Sequence, residues 1–93
     1  GMETLLGELD ECIPDHRGPE QAAEEQVLAE SISSFLRTQS ADNRYIFLRR
    51  YWYVDSVQDI AARYALRENT AKSILFRTRE KLRRYLAGEG IIV

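Results

Sequence analysis

Apolar residues recur along this chain at every third or fourth position and never in strict alternation, a pattern that predicts helices and no strands. Leu5, Leu6, Leu9, Cys12 and Ile13 mark a short amphipathic helix over 3–13, ended by Pro14. Residues 14–20 read as a linker punctuated by Gly18-Pro19. From about Glu20 to Gln39, the set Val27, Leu28, Ile32, Phe35 and Leu36 keeps helical spacing. Ser40 or Asp42 can cap a third helix, Asn43 to about Tyr53, bearing Tyr45, Phe47, Leu48, Tyr51 and Trp52. Asp55 or Ser56 can cap a fourth, about 56–64, that buries Val57, Ile60, Ala61 and Tyr64. After a break at Ala65-Leu66-Arg67, a long last helix runs to about Ala87, where Gly88 and Gly90 end it. The expected fold is all-α: an acidic linker or short helix in 1–20, then a four- to five-helix domain over 21–93 without winged elements.

The last two helices carry the most information. A short helix, a break of about three residues and a basic helix form the outline of a helix-turn-helix, with Ala61 and Ala62 as the small residues at the crossing. A plain αα-hairpin has the same outline. At about 100° per residue, Ala71, Leu75, Thr78, Leu82, Tyr85 and Leu86 of the last helix share one continuous face. Lys72, Ser73, Phe76, Arg77, Glu80, Arg83 and Arg84 lie opposite, with Ile74 and Arg79 on the flanks. Compact polar groups thus come first and arginines follow, the order in which a recognition helix meets base edges and then phosphates. Phe76 is a large apolar residue on the charged side, placed either to meet a thymine methyl or to cover the stems of Lys72 and Arg83.

Charge sharpens this picture. The 93 residues suit one small domain, or part of a larger protein, with a formal net charge of −2, but the charge is divided along the chain. Residues 1–43 hold ten acids against Arg17 and Arg37, and residues 44–93 hold eleven bases against five acids. An acidic partner for the second half follows, or else a solvated helix face. No apolar run is long enough for a membrane span, and the expected compartment is the cytoplasm. Gly1-Met2 reads as a tag remnant before a methionine. One cysteine excludes an internal disulfide framework. Cys12, Asp15, His16 and Glu20 make a poor metal set in a proline-containing linker, so no metal or cofactor is expected. No Ser/His/Asp set and no Gly-rich phosphate loop is present, which points away from an enzyme.

Three blocks together carry a resemblance: Arg44-Tyr45-Ile46-Phe47-Leu48-Arg49-Arg50-Tyr51-Trp52-Tyr53, then Asp55-Ser56-Val57-Gln58-Asp59-Ile60-Ala61, then Thr70-Ala71-Lys72-Ser73-Ile74-Leu75-Phe76-Arg77-Thr78-Arg79-Glu80-Lys81-Leu82. Over about residues 22–90 the chain resembles region 4 of bacterial RNA polymerase sigma factors, the extracytoplasmic-function type above all. The resemblance implies binding to the −35 element of double-stranded promoter DNA, docking on the flap of the RNA polymerase β subunit, and an anti-sigma factor as a further possible partner. Lys72, Ser73, Phe76 and Arg77 match the positions that meet the promoter; Asn69 and Thr70 are further candidate DNA contacts, and Arg63 and Arg79 candidate phosphate contacts, with Arg83 and Arg84 on the same basic face. The aromatic cluster of Tyr45, Phe47, Tyr51, Trp52 and Tyr53 is too large to be core throughout, which leaves part of it for the flap. Nothing in the chain matches sigma region 2, so it is expected to be an excised domain or a truncated relative.

The chain departs from the family in the turn, where Ala65-Leu66-Arg67 replaces the usual Gly-apolar-Ser. A positive φ at Ala65 would cost about 1 kcal/mol relative to glycine, and the cap would pass to Asn69 or Thr70. Two other readings remain open: the helix-turn-helix output domain of a response regulator, and a protein-interaction module that never meets DNA.

Overall fold

The computed structural model describes Leu5, Glu8 and residues 19–91, the side chains of 19–25 excepted. Four helices make up this part: α1 (Pro19–Arg37), α2 (Ala41–Tyr51), α3 (Val57–Arg63) and α4 (Glu68–Gly88). Leu5 and Glu8 are themselves helical, while the rest of the expected 3–13 helix and the linker up to Gly18 fall outside the described residues. No strand occurs among the described residues, and the fold is all-α. No helix is long and apolar enough to cross a membrane among the described residues.

The long α4 is the axis of the fold. It packs against α1, α2 and α3, and α3 also packs on α2. Its inward residues Ala71, Leu75, Thr78, Leu82 and Leu86 are all buried, matching the wheel, with Tyr85 and Ile74 half-buried at the margins. The one polar member, Thr78, donates its hydroxyl to the Ile74 carbonyl at 2.8 Å, so its burial leaves no group unpaired. Leu28, Ile32, Phe35 and Leu36 of α1 close one side of this core. Ile46, Phe47 and Tyr51 of α2 and Ile60 and Ala61 of α3 close the others. Phe35 meets Tyr85 with ring centroids 5.6 Å apart, and Phe47 meets Tyr51 at 4.7 Å. Leu5 is fully buried and belongs to the same cluster.

Three expectations about the core need correction. Val27 is exposed, because the face of α1 that meets α4 runs through Leu28, Ile32 and Phe35. Ile46, left out of the apolar set read for α2, enters the core, while Tyr45 points outward with the Arg44 guanidinium 5.5 Å from its ring. At the α3 crossing Ala61 is buried, but Ala62 faces solvent.

The caps decide the helix limits. Ser40 Oγ accepts from the Asn43 N–H at 3.2 Å, so α2 begins two residues earlier than expected and Asp42 sits in its first turn, where its charge suits the helix dipole. Ser56, not Asp55, caps α3 by accepting from the Asp59 N–H at 3.0 Å. Helix α2 ends at Tyr51, two residues before the expected limit, and the chain turns at Val54, which has φ +58°. Arg50 donates to the Asp55 carbonyl at 3.2 Å across this turn.

The ends of α3 and α4 share a mechanism. Leu66 N–H bonds to the Ala61 carbonyl at 2.8 Å and Ala65 N–H to Ala62 at 3.4 Å, a Schellman closure with Ala65 at φ +54° in the left-handed position. At the end of α4, Ile91 N–H bonds to Leu86 and Gly90 N–H to Ala87 in the same pattern, with Gly90 at φ +81°. Alanine thus does at the α3–α4 turn what glycine does at the chain's other closure, at a strain of about 1–2 kcal/mol.

Candidate nucleic-acid interface

The α3–α4 turn is short because its Schellman closure reverses the chain within Tyr64, Ala65 and Leu66, and α4 then starts from Arg67 in an extended conformation. Neither Asn69 nor Thr70 caps that start. Arg67 holds the cap position without a side-chain bond, and both residues lie inside the first turn, exposed. Their side chains are therefore available on the outer surface rather than tied to backbone.

Lys72, Ser73, Phe76, Arg77 and Arg84 all face solvent on the side of α4 opposite the core. Phe76 is 57% exposed. Lys72 pairs with Glu68 one turn back at 3.4 Å, and both side chains are largely solvated. Such an exposed pair contributes little and is screened by salt, so a phosphate or base edge competes for Lys72 at small cost. Arg77 and Arg84 make no ion pair among the described residues. Arg83 is half-buried and donates to Glu80 at 2.9 Å, which directs its guanidinium along the helix. Arg63, in the last turn of α3, lines a shallow open depression with Asp55, Asp59 and Ala62. Two carboxylates beside it weaken its attraction for phosphate.

Arg79, read as a flank residue and candidate phosphate contact, turns toward α2. Its side chain is only 22% exposed, and Nη1 lies 2.8 Å from the Tyr51 hydroxyl and 3.2 Å from Glu8 Oε2. Flank position is the reason: from there the side chain reaches across to α2 instead of out into solvent. Tyr51 donates its hydroxyl hydrogen to the same Glu8 carboxylate, and Arg50 approaches the other carboxylate oxygen at 3.9 Å. Burial foremost, then the Glu8 hydrogen bond, push the Tyr51 hydroxyl far above the usual tyrosine range, against the pull of Arg79. The phenol stays protonated. The Arg79 guanidinium also lies 5.9 Å from the Phe76 ring, so this partly open cluster borders the exposed face.

Glu8 and Tyr51 carried no signal in the sequence as partners of Arg79, because Tyr51 lies 28 residues from Arg79 and Glu8 a further 43 before Tyr51, and such separations leave no local pattern. Arg67, at the cap of α4, and Lys81, within its second half, are further exposed bases that position alone could have flagged.

Among the described residues no group of three or more His, Cys, Asp or Glu is gathered to hold a metal ion. Cys12, Asp15 and His16 lie outside the described residues, as does the side chain of Glu20. Neither a protein family, nor a curated relative, nor a solved structure matches the chain.

Proposed function

We propose that this chain binds duplex DNA in a sequence-specific way, with α3 and α4 acting as a helix-turn-helix and α4 as the recognition helix. Its target would be promoter DNA, bound as sigma-factor region 4 binds the −35 element. The observation that carries this reading is the polarity of α4. One arc of it is entirely committed to the core, and the opposite arc presents Asn69, Thr70, Lys72 and Ser73 near its start and Arg77 and Arg84 further along. Short polar groups near a helix start reach base edges, whereas long cations behind them neutralise phosphates. A solvated face needs no such order.

The β flap of RNA polymerase is the protein partner proposed with this reading. Trp52, Tyr53 and Val54 stand exposed together after α2, with Arg49 stacked 4.6 Å from the Tyr53 ring. An anti-sigma factor would compete for the same domain. That exposed aromatic turn also favours a second reading, a protein-interaction module without DNA binding.

One titration separates the two. Fluorescence anisotropy of a labelled duplex across a salt series is expected to show affinity falling steeply with salt, each neutralised phosphate adding about −0.9 to the log–log slope. A flat response, or no binding even at low salt, refutes the DNA reading and leaves the interaction module.

A further inference from the structure

The Glu8 carboxylate sits where three donors converge from two helices: the Tyr51 hydroxyl and the Arg50 guanidinium from α2, and the Arg79 guanidinium from α4. Each of these groups also suits a phosphate oxygen, because guanidinium recognises carboxylate and phosphate by the same charge-assisted hydrogen bonds. The cluster is partly open, with the side chains of Glu8, Arg50 and Arg79 all between one fifth and one third exposed. It adjoins Phe76, and through Phe76 the basic arc of α4. Leu5, three residues before Glu8, is fully buried in the core.

We propose that Arg50, Tyr51 and Arg79 form a phosphate-binding site for the DNA backbone at the α2–α4 junction, and that Glu8 fills it in the free protein as an internal substitute for the phosphate. The inference rests on the DNA-binding reading and assigns its regulation. DNA must displace one carboxylate to gain this contact, so the chain's acidic leader lowers its affinity through a single defined exchange. Tyr51 supports the exchange because its protonated hydroxyl donates to either anion. The two halves of the charge asymmetry meet here: Glu8 belongs to the acidic 43 residues and all three donors to the basic 50.

The test uses the full chain and a generic duplex, with Glu8→Gln, Arg79→Gln and the double variant, all checked for helical circular dichroism. Glu8→Gln keeps shape and hydrogen bonding but removes the charge that competes with phosphate. It is expected to bind up to about fivefold more tightly at about 50 mM salt. That gain is expected to shrink as salt rises from about 50 to 200 mM, because the charge that Glu8 sets against the phosphate is then screened. In the Arg79→Gln background the same Glu8→Gln change is expected to gain less than about twofold, the scatter of independent sites. A gain that persists in full without Arg79 is a general charge effect and overturns the proposal. So does wild-type DNA binding that Glu8→Gln leaves unchanged. Absence of binding by every variant at low salt overturns the DNA reading, and this proposal with it. If Glu8→Gln loses its helical signal, Glu8→Asp takes its place. Asp keeps the charge but cannot reach the three donors as well, and unchanged affinity there overturns the proposal equally.

Discussion

Arg79 of α4 donates to the hydroxyl of Tyr51 in α2 at 2.8 Å, and this bond joins a buried aromatic to the edge of the proposed DNA face. Tyr51 is fully buried as a residue, so its hydroxyl must find partners within the protein. Tyr51→Phe keeps the ring and its packing on Phe47 but removes both the acceptor for Arg79 and the donor to Glu8. The expected loss is about 1–2 kcal/mol at neutral pH, read from urea unfolding. The pH dependence follows from the raised pKa of this group. Its neutral form is favoured in the folded state, so its contribution is complete below the ordinary tyrosine value of about 10 and declines as pH rises beyond that. The stability gap between wild type and Tyr51→Phe should therefore narrow above about pH 10. A gap that stays constant from pH 8 to pH 11 contradicts the cluster as described.

Val54 and Ala65 adopt left-handed backbone, with φ +58° and +54°, where Cβ crowds the neighbouring carbonyl. Val54 is β-branched and 69% exposed, so glycine there loses almost no packing. Relief of about 1–2 kcal/mol of strain outweighs the extra freedom glycine gives the unfolded chain, about 0.4–1 kcal/mol. Val54→Gly and Ala65→Gly are each expected to stabilise by roughly 0.5–1 kcal/mol. Gly90→Ala tests the converse. A Cβ at Gly90 meets nothing within 4 Å, so any loss there is conformational, and about 1 kcal/mol is expected from φ +81°. Thermal unfolding of the three variants measures the series; a lower Tm for Val54→Gly would show that the turn is not strained.

These positions also mark where the sequence could be read and where it could not. The apolar arc of α4 was legible because Ala71, Leu75, Thr78, Leu82 and Leu86 obey helical spacing without interruption, and all five are buried. The solvent-facing candidates Lys72, Ser73, Phe76, Arg77 and Arg84 follow from the same geometry. Arg79 was not legible as an internal group, because a flank residue can turn either way and only Tyr51 and Glu8, distant in sequence, decide which. The end of α2 was misjudged for a related reason. Trp52 and Tyr53 continue the aromatic pattern of α2, but the positive φ at Val54 halts the helix, and valine gives no warning of that conformation. Caps fared better where serine competed with aspartate, since Ser40 and Ser56 both bond the N–H three residues on.

Leu82 and Phe76 lie on opposite sides of one helix and should separate folding from binding. Leu82 is fully buried, and Leu82→Ala is expected to cost about 2–5 kcal/mol through lost burial and the cavity left behind. Phe76→Ala removes a ring that is 57% exposed, and its effect on stability should stay within about 0.5 kcal/mol. Its effect should appear in DNA affinity instead, as loss of an apolar contact with a thymine methyl or a sugar. Chemical unfolding and anisotropy on the same two variants supply both readouts. Equal destabilisation by the two substitutions would mean that Phe76 belongs to the core.

Lys72 and Arg84 test the division of labour along α4 itself. Both are exposed, and they stand twelve residues apart, so they sample the start and the far end of the basic arc. Lys72 lies within the first turns, beside Ser73, where a recognition helix approaches base edges. Its pairing with Glu68 at 3.4 Å is solvated and gives way to a better partner. Arg84 follows more than three turns later, at a distance along the axis of about 18 Å, where a recognition helix has left the groove floor and meets backbone phosphates. Lys72→Ala is therefore expected to cost about 1–3 kcal/mol on a duplex selected for tight binding and much less on a random one. Arg84→Ala should weaken both duplexes alike and make the salt slope shallower by about one unit. The discriminating quantity is the ratio of selected to random affinity, measured for each variant at one salt concentration. That ratio should fall for Lys72→Ala and hold for Arg84→Ala. If both substitutions leave it unchanged, α4 grips phosphate without reading sequence, and promoter recognition would have to come from another element.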